Sequence, residues 1–88
     1  KCVSVIRFNG AEKETLREDD LWLYEEIEET GVLPYEVYFC YLKLTVPDGE
    51  TCGVLTIAAD ADGRAYILFL EGITPEIYEN AQSGFRSY

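Results

Sequence analysis

Three features of the sequence predict an α+β domain: a small antiparallel sheet, made of a three-strand meander plus an N-terminal strand, with two short helices mainly on one face. Tyr35 to Glu71 alternates runs of β-branched and aromatic residues with turn dipeptides, which is the pattern of the meander. Cys2 to Phe8 (CVSVIRF) is a further β-rich run that stops at Asn9-Gly10. The stretches 20–30 and 75–83 carry helix start and stop signals.

Taken in order, the first strand ends where Asn9-Gly10 favours positive φ. Residues 11–19 are expected to be irregular or strand-like, because Asp19 and Asp20 suit a helix N-cap better than a helix interior. From Asp20 the run LWLYEEIEET reads as a helix closed by Gly31, with Pro34 just beyond. Tyr35 to Val46 and Thr51 to Ala59 then form a hairpin around Pro47-Asp48-Gly49-Glu50, and Asp60-Ala61-Asp62-Gly63 turns the chain into Arg64 to Glu71. Thr74 and Pro75 are suited to the N-cap and first position of the second helix, whose apolar residues are Ile77, Tyr78 and Ala81.

Placing Asp48-Gly49 and Asp62-Gly63 as two-residue loops makes opposed residue numbers sum to 97 and 125. One face then carries Tyr38, Cys40, Leu42, Leu44, Leu55, Ile57, Leu68 and Leu70, and is expected to be the core. The other carries Phe39, Tyr41, Lys43, Val54, Thr56, Ile67 and Phe69, and its aromatic surface invites a helix, the N-terminal strand or a partner subunit.

The 88 residues suit a single domain, 1–88, and 48% hydrophobic content argues against disorder despite a net charge of −10. No apolar run approaches the roughly 20 residues of a membrane span, so no membrane partner is expected. The chain opens at Lys1 without a Met, as a trimmed leader or tag would leave it, and no targeting segment is visible. The seven basic residues are scattered, so nothing would neutralise phosphates and direct nucleic-acid binding is not expected. Cys2, Cys40 and Cys52 form no CxxC pair and the chain has no His, which removes the usual zinc spacings; no metal or cofactor is expected. Three reduced, mostly buried thiols in a cytoplasmic protein are the expectation, and Cys40 and Cys52, on opposite faces, cannot bridge.

For catalysis the inventory is thin. Without His the Ser and Cys residues lack their common general base, and no phosphate-binding glycine loop or GxSxG elbow occurs. No catalytic residue is assigned, and a non-enzyme is expected. Asp60-x-Asp62-Gly63 opens like a calcium loop with Glu71 at the twelfth position, but Ala65 stands where that loop needs Gly and Arg64 where it needs a ligand.

Charge is the strongest lead. Between Glu12 and Glu29 stand nine carboxylates against Lys13 and Arg17, a local balance of −7. Within the helix, Glu25, Glu26, Glu28 and Glu29 form like-charge pairs three and four apart, each costing about 0.2–0.5 kcal/mol. Glu28 and Glu29 also sit at the C-terminal end, where the macrodipole disfavours anions by about 0.3–1 kcal/mol each. Carboxylates placed against local energetics suggest a basic partner, weighed against an acidic face that serves only solubility. Trp22 falls among Glu25, Glu26 and Glu29 on the helical wheel, as an interface anchor would; the alternative is a first-turn aromatic folded onto the sheet.

Glu18, Asp19, Asp20, Trp22, Glu25, Glu26, Glu28 and Glu29 are therefore the candidate partner-binding residues of a non-catalytic acidic binding protein. By class analogy, small acidic proteins of phages and mobile elements imitate nucleic-acid charge and occupy the basic groove of restriction or CRISPR effectors and other nucleic-acid enzymes. The alternative is a homo-oligomer, a homodimer in its simplest form, that buries the face carrying Phe39, Tyr41, Ile67 and Phe69.

Overall fold

A computed structural model describes residues 2–80 and 84–88, with residues 2 and 3 described by backbone alone. In chain order the elements are β1 (Cys2–Arg7), a single 3-10 turn (Lys13–Thr15), α1 (Glu18–Glu28), β2 (Glu36–Val46), β3 (Gly49–Ala59), β4 (Ala65–Ile73), α2 (Pro75–Asn80) and β5 (Gly84–Ser87). They form the expected small α+β fold, with one five-stranded sheet in the order β4-β3-β2-β1-β5. The sheet is mixed and not purely antiparallel. After the meander the chain recrosses to the far edge, where β5 runs parallel to β1, pairing Val5 with Phe85 and Ile6 with Arg86.

Residues 11–19 are neither strand nor loop throughout. They hold the 3-10 turn and the start of α1, whose N-cap is Arg17 and not an aspartate. Glu18, Asp19 and Asp20 thus fill the first helical turn, where the macrodipole favours them. At the other end Gly31 adopts φ +86° and its N–H donates to Glu28 O at 2.9 Å, the expected glycine stop. Thr74 caps α2 by accepting from Ile77 N at 3.2 Å. Ala81, expected in that helix, lies outside the described residues.

The β2–β3 register pairs Val46 with Gly49 and Glu36 with Ala59, so opposed numbers sum to 95 rather than 97. Pro47 explains the difference: it has no N–H for the ladder, so the loop takes Pro47 and Asp48. A two-residue shift leaves every side chain on its expected face. The second turn is longer than expected, running from Asp60 to Arg64, because the Asp60 carboxylate accepts from Asp62 N at 2.9 Å and Arg64 N at 3.0 Å. Beyond it Ile57 pairs with Ile67 but Thr56 with Phe69, so Leu68 is the extra residue of a β-bulge. The bulge restores the sum of 125 for the rest of β4. It also puts Ile67 and Leu70 on one face and Leu68 and Phe69 on the other.

Which face is the core is the main departure from expectation. The buried cluster is Ile6, Phe8, Leu16, Tyr24, Ile27, Val37 and Ala58, with Leu68 and Phe39 packed against it. These belong to the face that carries Phe39 and Thr56, and α1 lies over it. Val37, Thr56 and Ala58 are short, so Tyr24 and Ile27 can approach the sheet, with Phe8 meeting Tyr24 edge-on at 5.0 Å between ring centroids. The leucine-rich face of Leu44, Leu55 and Leu70 would hold a helix farther off. Lys43, on the same face as α1 by register, bonds Glu79 at 3.3 Å and lies 5.0 Å from the Tyr78 ring centroid, so α2 joins α1 on that side.

Cys40 is disulfide-bonded and Cys52 is a buried free thiol, which corrects the expectation of three reduced cysteines. The register sets Cys40 opposite Cys2 across β1 and β2 while Cys52 faces Lys43, consistent with Cys40 and Cys52 lying on opposite faces. Among the described residues no helix is long and apolar enough to cross a membrane.

Candidate functional site

The outer surface of α1 is built by helical spacing. Asp20, Tyr24 and Ile27, four and three apart, make its buried stripe, which turns Trp22, Glu25, Glu26 and Glu29 to solvent. Trp22 is 65% exposed. Its ring does not fold into the core; it borders an open groove of about 280 Å³ between α1 and β4. Leu23, Ile27, Leu68 and Phe69 supply the apolar wall of that groove, and Glu26 and Glu71 place carboxylates on it. The bulge offsets the longer second turn, so Phe69 stays on the Thr56 side where the register of 125 puts it, and Leu68 joins it there. Nothing in the local sequence marks that bulge, so Leu68, expected on the opposite face, was not legible as part of the groove, whereas Phe69 stands on the face of Phe39 and Thr56 where the sequence register placed it.

The eight candidate residues do not act as one set. Glu18, Asp19, Glu25, Glu26 and Glu29 are exposed and stand outside the ion pairs of the described residues. Glu28 is held by Lys13 at 2.6 Å, with the same ammonium 5.9 Å from the Tyr24 ring centroid. The Lys13 pKa is raised, first by its hydrogen bond to Glu28.

Asp20 is removed from the surface altogether, at 2% exposure. Its carboxylate accepts from Arg86 Nε at 2.9 Å, from Arg86 Nη2 at 2.8 Å and from the Tyr88 hydroxyl. Burial pushes its pKa up, but the hydrogen bonds from Arg86 and Tyr88 and the guanidinium charge outweigh burial and leave it lowered. Tyr88 also stacks on Phe8, with centroids 6.1 Å apart, and its hydroxyl accepts from Arg17 N at 3.3 Å. Asp20 is thus an anchor that docks the start of α1 onto β5, and expecting it at a partner surface was incorrect. Helical spacing puts Asp20 on the buried stripe, but its cation lies 66 residues away on the C-terminal strand, a strand the sequence did not predict.

A larger cavity of about 530 Å³ opens at one end of the sheet, among the loops around Gly10, Pro34 and Ala61. Its main carboxylate, Asp60, is spent on its own turn and on the Tyr66 hydroxyl at 3.2 Å. Those bonds make Asp60 part of a hairpin turn, as expected in preference to a calcium loop. The smaller groove is the better site because exposed aromatics and uncommitted carboxylates meet there. Comparison with family models, curated proteins and solved structures finds no match to this chain.

Proposed function

We propose that this chain is a non-catalytic binding protein that presents the acidic outer surface of α1 to a basic protein. The observation that carries this reading is Trp22, 65% exposed and bordering a groove with Phe69 and Glu26. An aromatic pair flanked by carboxylates suits an Arg or Lys side chain, whose stem packs on the rings while its charge meets Glu26 and Glu71. Glu18, Asp19, Glu25 and Glu29 extend the negative surface around that anchor and would steer a basic partner toward it.

In its most specific form the partner is a nucleic-acid-processing enzyme whose basic groove takes these carboxylates in place of phosphates. This is the mode of small acidic inhibitors that phages and mobile elements direct at restriction and CRISPR effectors, and it rests on charge and class analogy. That form places the chain in the cytoplasm, where thiols stay reduced. The Cys40 disulfide favours an oxidising compartment, where the same surface meets a basic extracytoplasmic protein.

Affinity capture at low and high salt tests the reading. The expected partner is basic, is released as salt rises, and is lost when Glu25, Glu26 and Glu29 are changed to Lys or Trp22 to Ala. Release by added duplex DNA marks the nucleic-acid-mimic form, and retention marks the other. A partner without a basic surface, or one held equally by the charge-reversed protein, overturns the proposal.

A further inference from the structure

Neither helix covers the face of the sheet that carries Cys40 and Leu55. Among the described residues five large apolar side chains stand exposed on it by register: Leu44 at 36%, Val46 at 40%, Leu70 at 55%, Phe85 at 61% and Ile67 at 74%. The strands spread them from one edge of the sheet to the other, so they form one broad surface rather than isolated contacts. Gly53 is the low point of that surface. A Cβ there would meet Glu71 O at 3.2 Å and Leu70 Cδ1 at 3.3 Å, so the glycine lets Leu70 lie down across β3 and flatten the face.

Two quantities indicate what covers it. A folded monomer of 10.0 kDa is expected to expose about 5,240 Å², and this chain exposes 5994 Å². The surplus of roughly 750 Å² is close to the roughly 800 Å² that each partner contributes to a standard interface. The molecule is elongated, 44 × 23 × 19 Å, and both helices pack on the Thr56 side of the sheet.

Charge selects the occupant. Among the described residues the only charged side chains that the register assigns to this face are Arg7 and Glu36, bound to each other at 2.8 Å. A basic partner finds no free carboxylate here. A second copy, itself carrying a net charge of −10, meets little repulsion at this neutral face and strong repulsion at α1.

We propose that a second copy of this chain packs on the uncovered face, sheet against sheet, in a two-fold dimer. The sheets lie about 10 Å apart with strands crossing near −30°, as in sandwich packing. Both α1 surfaces then point outward in opposite directions. The dimer face is not the one expected from sequence, since Phe39 is packed against the core under α1 and only Ile67 of that set belongs here.

Sedimentation equilibrium over about 1–100 µM, the range in which standard-size interfaces associate, tests this. The unmodified chain is expected to sediment as two copies. Ile67→Lys with Leu70→Lys should raise the dissociation constant by about 100-fold or more, because each change occurs twice in a two-fold interface. Both residues are more than half exposed, so circular dichroism should be unchanged; Phe85→Ser is the second variant should the lysines disturb folding. Trp22→Ala should leave the dimer intact whether or not it abolishes partner capture, which keeps this proposal separate from the functional one. A single-copy mass throughout, a dimer that survives these changes, or one lost on Trp22→Ala overturns it.

Discussion

Asp20 precedes Tyr24 by four residues and Ile27 by seven, so helical spacing carries a carboxylate into the core-facing stripe of α1. A buried carboxylate must be protonated or paired, and Arg86 with Tyr88 pairs it. Because its folded pKa is lowered, its stabilisation is complete above the unfolded value of about 3.9 and is lost as pH falls through the folded value. Asp20→Asn is therefore expected to cost about 2 kcal/mol at pH 7 and to flatten the loss of stability below about pH 4, measured by denaturant unfolding across pH. Part of the acid slope should remain, since the Glu36 pKa is also lowered, first by the Tyr38 hydroxyl and then by Arg7 against the opposing effect of burial. The cysteines divide at the same scale. Cys52 is 5% exposed and free, so it should alkylate only on unfolding, whereas Cys40 should alkylate only after reduction. Mass spectrometry of the labelled chain before and after reductant checks both.

At the level of the element, α1 carries favourable charge at its start and unfavourable charge at its end. Lys13 offsets Glu28, but Glu29, the C-cap residue, has no such neighbour among the ion pairs of the described residues. Replacing Glu29 with Lys should raise stability by about 0.3–1 kcal/mol through the helix dipole while weakening capture of a basic partner. Thermal unfolding and binding on the same variant read both effects. Opposite signs would mean that the carboxylate is placed for recognition, and unchanged binding would leave it a solvated charge. The limits of this helix were only partly legible. Gly31 marked its end, because glycine takes positive φ without strain, but its start was placed two residues late, since no capping side chain announces it. In the hairpins the turn residues were evident, yet Pro47 shifted the first register and Asp60 lengthened the second turn.

For the whole molecule the consequence is segregation. Exposed carboxylates and Trp22 lie on the helix side, and a nearly neutral apolar face lies behind the sheet. The two sides should answer oppositely to salt. Raising ionic strength from about 0.1 to 1 M shortens the screening length from about 10 to 3 Å, so partner capture at α1 should weaken while the dimer persists or tightens. Affinity capture and sedimentation on one preparation at both ionic strengths separate the two. A dimer would also present two α1 surfaces at once, raising avidity for partners with paired basic sites.

What the sequence determined by itself is the set of elements and the place of the charge. Turn dipeptides, glycine stops and β-rich runs act locally, so the first four strands and both helices could be read, as could the concentration of carboxylates between Glu12 and Glu29. The tertiary structure decided everything that depends on which surfaces meet. Both faces of the meander are apolar, so alternation alone could not say that α1 would choose the side where Val37, Thr56 and Ala58 leave room for Tyr24 and Ile27. Nor could it show β5, four residues long, whose strand character exists only through pairing with β1. That late strand takes Asp20 out of the acidic surface, and the choice of face leaves the leucine-rich side open.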